Sequence, residues 1–320
     1  MNYLGDLPRP FFVLAPMDDV TDTVFRRMVA DCARPDLFFT EFVNVDGLQS
    51  AGRPRLVKRI MFTPKEQPLV AQLWGNNPEN YYKTAQELVE MGFAGIDINM
   101  GCPQKVVVKN GSCSALINNR ELAIEIIKAT QAGAAGRIPV SVKTRLGFNQ
   151  IDLSWIELLL GQNLNMLTVH GRTRKEMSDV PAHWDVIGKV CKLRDKIAPQ
   201  TVIVGNGDVK NRAHGLALAE QYGVDGIMIG RGIFQDPFAF AESSPWGSLS
   251  REQKVDLYTK HVKLFAETWT NKDRKIVTLN KFCKVYINGF DSAKELREQL
   301  MDAQNTEELL NMLAQARQFK

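Results

Sequence analysis

Asn99 and Cys102 close a short apolar run, Gly95-Ile96-Asp97-Ile98-Asn99-Met100-Gly101-Cys102-Pro103. A segment that only had to end would need neither an amide nor a thiol at its lip. Gly101 allows an unusual backbone angle and Pro103 fixes the next one. An isolated cysteine is more often a small buried hydrophobe, so the thiol's role depends on what else reaches the same place. Lys143 interrupts the apolar run 139–147. An ammonium facing a packed interior is costly unless an anion or strong acceptor meets it; the structural alternative is a lysine extending outward between helices. His170 precedes Gly171-Arg172-Thr173, and Gln72 sits in the apolar run 68–75. The bland role for His170 is a core imidazole bonded to a carbonyl. Two glycine-rich turns, Gly205-Asn206-Gly207-Asp208 and Gly230-Arg231-Gly232, let backbone amides approach a phosphate that Arg231 can neutralise. A phosphate anchor with Lys143, Gln72 and His170 around one cavity suits flavin mononucleotide (FMN). Lys143 would face the N1–O2 edge of the reduced ring, Gln72 the pyrimidine edge, and His170 either flavin or substrate.

These residues need a scaffold that gathers segment ends. Eight apolar runs, at 11–17, 37–42, 68–75, 95–101, 139–147, 166–172, 201–207 and 226–232, alternate with amphipathic stretches. The stretch 21–32 carries Val24, Met28 and Val29 on one face, and 77–91 carries Tyr81, Ala85, Leu88 and Val89. Asn118 with Glu121 reads as a capping box, and 184–197 and 211–222 keep the same helical period. The pattern predicts an α/β fold, a (β/α)8 TIM barrel over residues 1–243, with its chemistry where the strands end. An open doubly wound sheet would carry a GxGxxG turn after its first strand, and Ala15-Pro16-Met17-Asp18-Asp19 is not one. Residues 44–63 form a longer, irregular connection.

After residue 240 the strand pattern stops. Residues 243–248 read as a linker, and Ser250 with Gln253 caps a helix. Further helical stretches follow at 276–288 and after Ser292 and Asn305. The whole predicts a small all-helical domain at 249–320. Between Arg251 and Lys284 there are nine basic and four acidic residues, a surplus of +5 against +4 for the whole chain. Tyr258, Trp269, Phe282 and Tyr286 are interleaved, as on a face that grips a nucleic-acid backbone; an ordinary solvated helical surface is the alternative.

Composition bounds the rest. The chain has 320 residues, 44% of them hydrophobic and 24% charged, ordinary for a water-soluble protein. No apolar run reaches about 18 residues, so no membrane span is expected. Met1–Asp6 lacks a basic region followed by an apolar one, so no secretory leader is expected. Five scattered cysteines (Cys32, Cys102, Cys113, Cys191, Cys283) form no CxxC pair. Neither a metal site nor a disulfide framework is expected, and a reducing, cytoplasmic setting fits. A monomer is the default expectation.

Taken together the motifs resemble one family. Ala15-Pro16-Met17 with Val20-Thr21-Asp22 and Phe25-Arg26, Asp97-Ile98-Asn99-Met100-Gly101-Cys102-Pro103, Lys143-Thr144-Arg145-Leu146-Gly147, His170-Gly171-Arg172-Thr173, Gly205-Asn206-Gly207-Asp208 and Met228-Ile229-Gly230-Arg231-Gly232 occur in the order of the bacterial tRNA-dihydrouridine synthases. The tail segments 281–290 and 294–297 resemble that family's tRNA-binding domain. The resemblance implies reduction of the C5–C6 double bond of a tRNA uridine by FMN with NADPH as reductant. Hydride would pass from flavin N5 to C6, and Cys102 would protonate C5. It implies Asn99 on the uracil, and Arg145 and Arg172 near uracil or tRNA backbone. Pro16, Met17, Gln72, Lys143 and His170 would hold the isoalloxazine; Asn206, Gly207, Asp208, Gly230 and Arg231 would hold the ribityl phosphate. A thiol that must stay protonated to act as an acid is expected to have a pKa that is not strongly depressed. Two departures stand out: Cys113 replaces the family's usual glycine, and the loop after Cys102 has only Lys105 and Lys109. Two rival functions remain at this stage: an FMN barrel acting on a small pyrimidine or enone, as dihydroorotate dehydrogenase does, and a non-catalytic RNA-binding factor.

Overall fold

The computed structural model describes residues 3–270 and 274–318. Its strands are β1 Phe11–Leu14, β2 Phe38–Phe39, β3 Val43–Asn44, β4 Leu69–Trp74, β5 Gly95–Met100, β6 Val140–Arg145, β7 Met166–His170, β8 Val202–Asn206 and β9 Gly226–Ile229. They pair in the order β1-β9-β8-β7-β6-β5-β4-β2, with β3 also on β4. Every ladder is parallel, and a parallel bridge between Val13 and Leu37 closes the ring. This is the expected (β/α)8 barrel with one stave split. The predicted run 37–42 holds only β2, β3 begins just beyond it at Val43, and the Thr40 hydroxyl accepts from the Gln72 backbone N–H (3.0 Å) between them.

Residues alternate between two buried sets. Phe11, Val13, Phe39, Val70, Met166, Val204 and Met228 fill the barrel interior. Phe12, Leu14, Val24, Ala71, Ile96, Val142 and Ile227 belong to the layer between strands and helices. The surrounding helices of seven residues or more are α1 Thr23–Ala33, α2 Pro78–Glu90, α3 Arg120–Ala134, α4 Leu153–Leu160, α5 Trp184–Ile197 and α6 Arg212–Tyr222. Side-chain caps start several of them. Asp22 accepts from Phe25 N, Asn77 from Glu79 N and Asn211 from His214 N. The cap expected at Asn118 falls one residue later: Asn119 accepts from Leu122 N, while Asn118 ends a 3₁₀ turn that begins at Cys113.

The tail contains α7 Arg251–Thr268, α8 Asn280–Tyr286, α9 Ala293–Met301 and α10 Thr306–Gln318. Ser250 and Gln253 form the expected capping box, and Asn305 accepts from Glu308 N at 2.9 Å. Ser292 makes no cap bond. The 243–248 linker is anchored, because Trp246 is buried with the Lys254 ammonium 4.5 Å from its ring centroid.

The basic and aromatic face expected on this tail does not exist as such. Tyr258, Trp269, Phe282 and Tyr286 are all buried. Phe282 stacks on Phe25 of α1 at 4.9 Å, and Tyr258 stacks on Tyr286 at 5.7 Å. Helical period puts an aromatic on the packed face as readily as on a binding face. Several cations are spent as well. Lys260 pairs with Asp31 of α1 at 2.8 Å, Lys281 donates to the Asp19 carbonyl, and Lys254 is buried on the Asn288 carbonyl. Lys272 and Asp273 lie outside the described residues.

Arg274 is the main polar tie between tail and barrel. It pairs with the buried Glu41 after β2 and lies 3.5 Å from Asp22. Burial pushes the Glu41 carboxyl up, against the pull of Arg274 and Arg59. Asp18, Asp19 and Glu41 offer carboxylate oxygens within 4.8 Å of one another. Their charge is taken by Arg59, which contacts all three, and by Arg274. Replacing Arg274 by alanine strands Glu41 with Arg59 alone. It should cost about 2 kcal/mol and lower the melting temperature by several degrees, whereas Lys284→Ala, at an exposed site, should leave it nearly unchanged in the same thermal melt.

Candidate active site

The C-terminal strand ends converge on a cavity of about 480 Å³ lined by Ala15, Pro16, Met17, Lys143, His170, Asn206, Gly207, Asp208, Gly230 and Arg231, with Val209, Lys210, Gly232 and Gln235. Every expected cofactor residue except Gln72 lines it. Three features of this lining bear on what it can hold. Lys143 has no hydrogen bond or ion pair among the described residues, and burial, aided by the Arg145 charge, pulls its ammonium down to about 8. His170 Nδ1 is buried without a partner. Burial and the cations Lys143, Arg145, Arg172 and Arg231 push its pKa well below the ordinary range, so the imidazole is neutral. Gly207 has φ +131°, and a Cβ there would stand 2.7 Å from Ala182 Cβ, so only glycine shapes that turn.

Arg172, which the resemblance places near uracil or tRNA backbone, turns toward Asp208. Its side chain is buried, its Nε donates to the Val180 carbonyl and its Nη2 to Asp208. Its Nη1 is buried without a partner, 4.0 Å from the position of a Gly207 Cβ. The guanidinium therefore faces the Gly207-Asp208 turn. Asp208 bridges Arg172 and Arg231 and also accepts from Ala182 N. Its carboxyl is held below the usual range by those donors, Arg172 first, against burial.

The thiol arm leaves β5, the strand next to the one that carries Lys143. Asn99 pairs in register with Lys143 on β6, so the amide and the ammonium are lateral neighbours. Asn99 Oδ1 accepts from Gly101 N (3.1 Å) and Cys102 N (3.0 Å), and fixes the turn that carries the thiol. Gly101 has no left-handed angle. Its need for glycine is spatial, since a Cβ would lie 3.3 Å from the Thr144 carbonyl carbon of β6. Arg145 donates through Nε to the Gly101 carbonyl and through Nη1 to the carbonyls of Thr173 and Met177. Burial lowers its pKa to about 10, and the group stays charged beside Cys102. Gln72 lies under the floor, fully buried, bonded to Asp97 and Asn99.

Cys113 explains its own position. Its φ is +57°, in the left-handed region that favours glycine, which accounts for the glycine of the family pattern. Ser114 holds it against the arm by donating to the Cys102 carbonyl (2.8 Å). A hydrogen bond from the Cys113 thiol lowers the Cys102 pKa to about 7 against the effect of burial, where a value not strongly depressed was expected. The buried Cys113 is pushed up correspondingly.

Sequence reasoning missed Lys210, Gln235, Asp97 and Thr168 Oγ1, another buried atom without a partner. Lys210 was two residues past a named turn. Asp97 and Thr168 were visible as polar interruptions of apolar strands, the same signal that picked out Lys143.

The sequence profile of the dihydrouridine synthase (Dus) family matches residues 13–320. The chain is an enzyme of the dihydrouridine synthase family. It is 48% identical over 315 residues to the probable tRNA-dihydrouridine synthase of Staphylococcus aureus (strain COL), covering 98% of this chain and 94% of that protein. It is equally similar, at 48%, to the probable tRNA-dihydrouridine synthase 2 of Bacillus subtilis (strain 168), covering 98% and 95%. Among solved structures it resembles morphinone reductase, with a TM-score of 0.53 and 14% identity over 74% of this chain and 86% of that one. At that identity the likeness concerns the barrel alone.

The thiol pair sets a pH signature. Labelling of Cys102 by iodoacetamide, followed on its peptide by mass spectrometry, should rise with pH at a midpoint below the roughly 8.5 of a free cysteine. Cys113→Ala removes the donated hydrogen bond and should move that midpoint up by about one pH unit.

Proposed function

We propose that the chain reduces the C5–C6 double bond of a uridine in tRNA to 5,6-dihydrouridine, with FMN as cofactor and NADPH as reductant. The observation that carries this is one cavity in which Lys143 Nζ and His170 Nδ1 have no protein partner among the described residues, with Cys102 near enough for its charge to act on Lys143. A flavin's pyrimidine edge and phosphate match that donor set. Pro16, Met17, Lys143 and His170 would hold the ring. Asn206, Gly207, Asp208, Gly230, Arg231 and also Arg172 would hold the phosphate, and Gln72 would reach the pyrimidine edge through its remaining amide hydrogen. Bound there, reduced FMN supplies the hydride that adds to uracil C6.

The chain's own residues do the rest. Addition at C6 leaves enolate-like charge that must be neutralised in place. Cys102 is the general acid that protonates C5, and its lowered pKa makes it a stronger donor. Sign follows directly: the donor is the protonated thiol, so turnover should fall as pH rises through the Cys102 pKa. Arg145 steadies the loop and offers Nη2 to the substrate. Asn99 keeps one N–H for uracil. The base must leave the RNA stack to reach this depth. We assign that grip to a helical domain, 249–320, beside a catalytic barrel, 1–243, in a cytoplasmic, monomeric protein. With its aromatics buried, its RNA contacts rest on exposed cations such as Lys263, Lys275 and Lys284.

No helix among the described residues is long and apolar enough to cross a membrane. The small-pyrimidine alternative leaves the tail without a role, and the non-catalytic one leaves Lys143 and Cys102 without one. Purified protein should be yellow, with flavin absorbance bleached by NADPH and restored by tRNA lacking dihydrouridine. Cys102→Ala should keep the colour and the bleaching but slow dihydrouridine formation by about 10²-fold or more. Colourless protein, or undiminished product from that variant, would refute the reading.

A further inference from the structure

We propose that Asp97 is a positioning residue for the Cys102 turn, acting through Gln72 and Asn99; the proposal deepens, and its activity readouts rest on, the tRNA-uridine reductase reading. Five connected hydrogen bonds support it. Ser141 Oγ donates to Asp97 Oδ1 (2.6 Å), and Gln72 Nε2 donates to Asp97 Oδ2 (2.8 Å). Asn99 Nδ2 donates to Gln72 Oε1 (3.0 Å), and Asn99 Oδ1 accepts from the amides of Gly101 (3.1 Å) and Cys102 (3.0 Å). Asp97 and Gln72 are fully buried, with Ser141 3% and Asn99 6% exposed.

The direction of this relay is fixed from both ends. Backbone N–H groups only donate, so Asn99 must present its oxygen to the turn and its NH₂ to Gln72. Gln72 must then present its oxygen to Asn99 and its NH₂ to Asp97. The far end must therefore accept, which a carboxylate does. An apolar residue at 97 would leave Gln72 free to rotate, and with it Asn99. A rotated Asn99 would set its NH₂ against two backbone N–H groups, and the turn holding the thiol would lose its anchor. Asp97 has a competing role, because it is also the carboxylate nearest in charge to Lys143. Asp97→Asn separates the two, since it removes the charge and keeps an oxygen for Gln72.

The test uses the full-length, flavin-loaded protein carrying Asp97→Ala, Asp97→Asn, Gln72→Met or the Ala/Met pair. Flavin bleaching by NADPH and recolouring by unmodified tRNA are timed separately, and Cys102 labelling by iodoacetamide is measured without tRNA. Losing one hydrogen bond to a buried charged group should slow recolouring about 10-fold or more in Asp97→Ala, with bleaching changed less than threefold. Asp97→Asn should restore most of that rate. Gln72→Met should match Asp97→Ala in recolouring, and the pair should be no worse than either change alone. Labelling should change in the alanine variant and return in the asparagine one. An asparagine variant as slow as the alanine one, or a loss confined to bleaching, would assign Asp97 to Lys143 instead and overturn the relay. If Asp97→Ala yields no folded protein, Gln72→Met, which keeps Asp97 and its serine bond, decides alone. A wild type that binds no flavin would sink the functional reading, while the labelling series would still judge the relay.

Discussion

The constraint that organises this molecule is the cost of concentrating cations at the mouth of a barrel. Lys143, Arg145, Arg172 and Arg231 all act on the same imidazole, His170. Unpaired, each would be strongly unfavourable out of water. The fold spends few carboxylates on them: Asp97 below Lys143, and Asp208 between Arg172 and Arg231. Arg145 is satisfied by carbonyls instead. Lys143 is left without a hydrogen-bonding partner. A site that is short of acceptors in the resting chain is preorganised for an electron-rich ligand, and strain of this sort is retained where function repays it.

That constraint also explains what was legible. Strand ends in a barrel share one rim, so reading them in order recovered nine of the cavity's lining residues as cofactor residues before any coordinates. The rule reports position along a strand and not the state of the side chain. Gln72 obeys it and still lies beneath the cavity, its amide committed to neighbours. Arg172 obeys it and turns sideways to Asp208. Gly101 was assigned its freedom of angle when the real demand is the approach of β6, a contact between residues far apart in sequence. Cys113 looked like a departure in chemistry. Its left-handed angle shows that it also occupies a glycine's place in the backbone.

The tail was legible in its helices and illegible in its faces. Its caps and breaks lay close to their expected positions, because those are local effects. Which side of each helix meets solvent depends on the partner, and the partner is α1 of the barrel. Phe282 on Phe25 and Arg274 on Glu41 make tail and barrel one packed body. Lys281 meanwhile holds the carbonyl of Asp19, two residues beyond Met17 in the cavity wall. A load on the tail would therefore reach the same loop that shapes the cavity.

Acid strength is the last consequence. A general acid works best when its pKa is near the working pH, where it is both protonated and willing to give the proton up. A lone thiol buried beside the ring would have drifted upward, as Cys32 and Cys191 do, each to about 12. Cys102 escapes that drift because Cys113 lends it a hydrogen bond and Arg145 stands near. A glycine at 113 satisfies the backbone and offers no such donor. The buried second thiol thus offsets its conformational cost by making the first a stronger acid.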